Sequence, residues 1–240
     1  MTDPLPYAYD VTGSGPVLLL VPGGAGHPMG LGPLTERLAA RFTVVTYDPL
    51  GLAHGRLGLP VHDQRVADWS EGAHRVLETV VPTGESAYVF GTSSGGIAVL
   101  DLLARHPRRL AHVVAHEPPC VTLLPDGEER RAELIGQLDG PGQPPAEGGS
   151  ATAMGVFLAR VLRPFTAHAP AFTAPSGRLT LAAGTDSRGQ LLYRTAEFLA
   201  ERLGGTFAEF PGGHLGTLDH PLEFADLLAD TLLSSARTSA

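Results

Sequence analysis

A chain of 240 residues, 43% hydrophobic and 18% charged, has the composition of a globular protein and enough length for one large α/β domain. Its net charge is −8 and all 17 basic residues are arginine, so the ordinary Walker A loop, Schiff-base catalysis and pyridoxal-phosphate chemistry, which need a lysine, are excluded. An acidic chain without basic clusters also speaks against nucleic acid or an anionic membrane as partner.

The single cysteine, Cys120, cannot close an internal disulfide, the first residues lack a basic head followed by an apolar run, and no apolar segment approaches ~20 residues. The expected compartment is therefore the cytoplasm, and the expected protein a monomer or homodimer working on a small molecule.

In chain order, residues 5–11 alternate enough for a strand, Gly13-Ser14-Gly15-Pro16 makes a turn, and residues 17–21 form a continuous apolar run suited to a strand covered on both faces. That run ends in the glycine-rich loop Pro22-Gly23-Gly24-Ala25-Gly26. A helix is predicted over 33–41, a strand over 42–47, loop over 54–63, and a helix over 66–81 carrying Trp69, Ala73, Val76, Leu77 and Val80 at helical spacing. The strand at 87–90 then runs into an apolar helix that stops at His106-Pro107, and 110–116 is another buried strand.

The alternation breaks between 120 and 177. This stretch holds a charged helix candidate at 128–138, a Pro/Gly loop at 139–150 and an apolar helix at 151–162, and it is expected to be a helical lid inserted into a core made of 1–119 and 178–240. Met154, Phe157, Leu158 and Val161 either line a pocket there or simply pack the insertion on the core. Strands at 178–183 and 206–210 and helices at 190–203 and 221–233 complete a predicted α/β fold, a mostly parallel sheet with helices on both faces.

Chemistry concentrates where the 87–90 strand meets its helix. Gly91-Thr92-Ser93-Ser94-Gly95 fits G-x-S-x-G, whose strained strand-to-helix turn pushes the serine out above the sheet edge while the following helix aims its free N–H groups beside it. A serine hydroxyl needs a base, and the base needs an acid to fix its tautomer. Asp186, after a strand end, and His214, after the last strand, supply them in the order Ser93, Asp186, His214. Asp186 is the expected acid, with Glu117 at the end of the preceding strand as its rival. His214 is preferred to His220, which directly precedes a helix-starting proline. His112 and His116 share a strand face at a spacing some metal sites use, but without a recognisable third ligand they read as structural histidines.

With these residues the chain resembles the α/β-hydrolase superfamily over essentially its whole length, most of all small bacterial members with a strand ending His116-Glu117-Pro118-Pro119 and a short helical cap inserted after the sixth strand. The resemblance implies an oxyanion hole from the backbone N–H groups of Ser94 and of Gly24, or Ala25 in its place. It implies substrate contacts from Ala25, Glu117, Met154, Phe157 and Leu215, and neither metal nor cofactor. The chain departs from many relatives at Pro22-Gly23, where they have His-Gly, and at Leu50, where an arginine often follows. The implied reaction passes through an acyl-serine intermediate on a carboxylic ester, lactone or thioester. The alternatives are a carbon–carbon bond hydrolase with the same residues, or a non-hydrolytic lyase, cyclase or small-molecule binder on this fold.

Overall fold

The computed structural model describes residues 8–24, 31–138, 152–170 and 177–238. Seven strands, β1 (Ala8–Gly13), β2 (Val17–Val21), β3 (Thr43–Asp48), β4 (Ala87–Thr92), β5 (Leu110–His116), β6 (Leu179–Gly184) and β7 (Thr206–Phe210), form one sheet in the order β1-β3-β2-β4-β5-β6-β7. Only the β1 edge runs antiparallel. Within the described residues the first strand runs later than predicted, to Gly13, because Gly13 can take the positive φ of the turn.

Apolar runs in β2, β4 and β5 are buried on both faces because successive side chains point to opposite sides. Leu19, Val89 and Val113 pack on one face, against α2 (Val66–Val80), α3 (Ser94–Arg105) and α7 (Leu191–Leu203). On the other, Leu18, Phe90 and Val114 meet α1 (Gly32–Leu38) and the closing helix Pro221–Thr238, which runs five residues beyond its predicted end.

The helical insertion follows the fifth described strand, not the sixth as expected, and leads from β5 to β6. It contributes α4 (Gly127–Leu138), α5 (Ala153–Arg160) and α6 (Leu162–Thr166), while the predicted loop at 139–150 and helix start at 151 lie outside the described residues. The insertion is tied to the core by Phe165 set edge-on against Trp69 at 4.7 Å, by Arg160 with Asp63 at 2.9 Å, and by His168 beside the buried Asp101 of α3 at 3.6 Å.

β3 lies to one side of β2 and β4 to the other, so the connections leaving β2 and β4 diverge and open a crevice at the carboxyl edge of the sheet. Ser93, Glu117, Asp186 and His214, which follow β4, β5, β6 and β7, all lie along that edge.

Candidate active site

The turn from β4 to α3 places Ser93 at φ 54°, ψ −124°, a conformation L-residues avoid at a cost of about 1–3 kcal/mol. Its neighbours explain why only glycine serves nearby. A Cβ on Gly95 would strike the carbonyl oxygens of Val21 and Pro22, and one on Gly23 would stand 2.6 Å from the Cβ of Ser93. The two backbones therefore touch, and the hydroxyl is carried up into the crevice.

His214, after β7, hydrogen-bonds Ser93 Oγ through Nε2 at 3.2 Å and Glu117 Oε2 through Nδ1 at 2.8 Å. Glu117 directly follows β5, also at positive φ (43°), and is 1% exposed. Its backbone N–H donates to Ala182 O at 2.9 Å, and its other carboxylate oxygen accepts the Gly184 amide at 3.0 Å. Burial by itself raises this carboxyl. The His214 bond, the Gly184 amide and the nearby imidazoles outweigh it, and Glu117 ends below its ordinary value. A hydroxyl, an imidazole and an ionised buried carboxylate in this sequence can pass a proton from oxygen to nitrogen and hold the resulting imidazolium.

Beside Ser93 opens a cavity of about 430 Å³ walled mainly by apolar side chains, among them Leu31, Met154, Phe157, Leu162, Leu215 and Leu218. Met154 and Leu215 stand partly exposed, whereas Leu158 and Val161, also considered as pocket residues, are buried in the core. Gly23 and Gly24 close the side nearest the serine.

A family profile described as alpha/beta hydrolase fold matches residues 16–165. The chain belongs to the α/β-hydrolase family. A Bacillus subtilis (strain 168) protein, uncharacterized hydrolase YraK, is 34% identical over 249 residues, covering 93% of this chain and 91% of its own length. Among solved structures, a thermophilic esterase from Thermogutta terrifontis superposes with a TM-score of 0.71 at 16% identity, covering 96% of this chain and 94% of that one. The enol-lactonase from Burkholderia xenovorans LB400 gives 0.63 at 16% identity over 95% and 100%. The protein is thus an α/β-hydrolase enzyme, and at these identities the two structures speak for the fold alone.

In this α/β-hydrolase the expected acid is displaced. Asp186 lies in a short 3₁₀ turn, Thr185–Ser187, with its side chain exposed. Its backbone N–H donates to Gly212 O at 2.9 Å and its carbonyl accepts Gln190 Nε2 at 3.1 Å. Among the described residues no hydrogen bond reaches its carboxylate, and the carboxylate on His214 is that of Glu117, which had been expected to contact substrate. The longer glutamate arm, turned by its positive φ, reaches across to the end of β6, while the 3₁₀ turn carries Asp186 outward.

The expected oxyanion pair is also modified. Gly24 N–H donates to the Ser94 side-chain Oγ at 2.9 Å, whereas Ser94 N–H, at the first position of α3, is one of the amides a helix leaves without an internal partner. Ala25 lies outside the described residues. His220 stays away from Ser93, packing beside Gly212. His112 Nε2 meets Thr180 Oγ1 at 2.9 Å, and His116 Nδ1 meets Thr92 Oγ1 at 3.3 Å. Among the described residues no group of three or more His, Cys, Asp or Glu could hold a metal ion, and no helix is long and apolar enough to cross a membrane.

One further cluster falls at the start of the segment expected to be loop, 54–63. Buried Asp48 accepts Ala53 N–H and His54 Nδ1, both at 2.9 Å, and this bond first of all raises the His54 pKa against a smaller opposing effect of burial. The link caps a tight π turn at Leu52–Arg56, where the aspartate followed by Pro-Leu-Gly was the available cue.

Proposed function

We propose that the protein is a serine hydrolase cleaving a carboxylic ester, lactone or thioester of a fairly apolar acid, with Ser93 as nucleophile, His214 as general base and Glu117 as the acid. The observation that carries this reading is the unbroken hydrogen-bond chain Glu117–His214–Ser93. Ser93 Oγ attacks the acyl carbonyl while His214 Nε2 takes its proton. Glu117 keeps Nδ1 protonated and steadies the imidazolium. The oxyanion forms next to the start of α3, where the Ser94 amide and the dipole end face it; Gly24 joins as a second donor when its amide leaves the Ser94 hydroxyl. The imidazolium then protonates the leaving oxygen, and water repeats the attack on the acyl-serine.

The apolar cavity suits the acyl chain, and the helices between β5 and β6 act as a lid because Leu134, Met154, Phe157 and Leu162 form its roof. The names of the esterase and enol-lactonase above agree with acyl chemistry. A fluorophosphonate probe tests the nucleophile. The native chain is expected to be labelled and Ser93→Ala to remain unlabelled, while equal labelling of both would remove Ser93 from the mechanism.

A further inference from the structure

A second chamber of about 490 Å³ adjoins the first, and Leu134, Leu192 and His214 belong to the walls of both. The two chambers differ in chemistry. The first is lined mainly by hydrocarbon, whereas the second is bordered by Glu117, Arg130, Glu133, Gln137, Gln190 and Arg194. Glu117 is bound to His214, and Glu133 to Arg130 at 2.6 Å. Arg130 is further committed to Asp126 at 2.8 Å. Both wall carboxylates thus have partners, while among the described residues no ion pair or side-chain hydrogen bond reaches the Arg194 guanidinium. Arg194 touches Asp126 through charge alone, while Arg130 holds that carboxylate by a hydrogen bond. Arg194, exposed on α7, is thus the arginine of this chamber whose guanidinium has no salt-bridge partner of its own among the described residues, and it shares the chamber wall with His214.

We infer that this chamber is a subsite for a carboxylate carried by the leaving group of the substrate, with Arg194 as its partner. The inference rests on the hydrolytic reading above and adds the polarity of the substrate's second half. Geometry sets the assignment: the base that takes the Ser93 proton must hand it to the leaving oxygen, so the leaving group departs on the imidazole side. From there it passes between Leu134 and Leu192 into the chamber where Arg194 stands. The acyl chain stays in the apolar cavity. A guanidinium offers paired N–H donors that match a carboxylate, and the amide of Gln137 adds a further donor on the same wall.

The test uses two butyrate esters, para-carboxyphenyl butyrate and its neutral methyl-ester counterpart, para-methoxycarbonylphenyl butyrate, each rate divided by that ester's own hydrolysis by hydroxide, because the neutral phenol is the better leaving group. The native enzyme is expected to show kcat/KM about fivefold higher for the carboxylate than for the neutral ester, the size of one partly exposed ion pair. That preference should reside in KM and shrink as salt is added. Arg194→Gln is expected to erase the preference and Arg194→Lys to restore part of it. Turnover of both esters without a charge preference overturns the subsite and leaves the hydrolase reading standing, and so does an equal fall for both in Arg194→Gln. If neither ester turns over and Ser93 also escapes the fluorophosphonate, the hydrolytic reading fails and the subsite falls with it.

Discussion

Two residues with positive φ, Ser93 and Glu117, carry the two ends of the hydrogen-bond chain through His214. Strain at both strand ends is held by neighbours that over-determine it: the Ser93 amide donates to His116 O at 2.9 Å, and the Glu117 amide to Ala182 O at 2.9 Å. The acid assignment can be measured at this scale. Glu117→Gln is expected to lower kcat on an activated short-chain ester by about 10³-fold, since the neutral amide no longer fixes the imidazole tautomer or balances its charge. Glu117→Asp should fall nearly as far, because one methylene less withdraws the carboxylate from Nδ1. Asp186→Asn should stay within about twofold of native, and a larger loss there than in Glu117→Gln would return the role to Asp186.

At the scale of elements, β5 leads directly into Glu117 and also holds two buried histidines whose titration the proposed chemistry does not use. Burial drives His112 and His116 down to about 4; for His116, Glu117 opposes this and His214 adds to it. Both rings are therefore neutral in the folded protein at neutral pH. An unfolded chain binds their protons from about pH 6.5 downward, whereas the folded chain resists until about pH 4, so stability falls as pH drops through that window. For His116 the loss is on the order of 3 kcal/mol. Glu117 acts in a lower window: its carboxyl is depressed, so its contribution is present above the ordinary carboxylate range and is lost as pH falls through the depressed value. His116→Phe, which keeps a ring against Phe210 and Phe224, should flatten the slope between pH 6.5 and 4 in urea unfolding curves. An unchanged slope would show that His116 does not titrate on unfolding.

At the scale of the molecule, the insertion both lines the apolar cavity and packs on the core. Phe165 is buried against Trp69 of α2, so it joins two parts of the chain that are nearly a hundred residues apart. Phe165→Ala is expected to cost about 3 kcal/mol in denaturant unfolding through the cavity it leaves. It should also raise hydrogen exchange in α5 and α6 more than in β4 and β5. Uniform protection across these elements would mean that the insertion is held by its other contacts.

Most of the fold was readable because its strands are apolar runs of fixed length, its helices repeat at 3.6 residues, and the G-x-S-x-G turn is a local steric requirement. Ser93 and His214 follow from such local signals. Their partner does not, since Asp186 and Glu117 both stand at strand ends and both fall between Ser93 and His214 in chain order. Side-chain reach across adjacent strands, a positive φ at 117 and an outward 3₁₀ turn at 185–187 decide for the glutamate. The same holds for the polar chamber at Arg194, which depends on which charges pair with one another once residues of α4 and α7 border the same space. Pairing and reach are properties of folded distances, and no spacing along the chain encodes them.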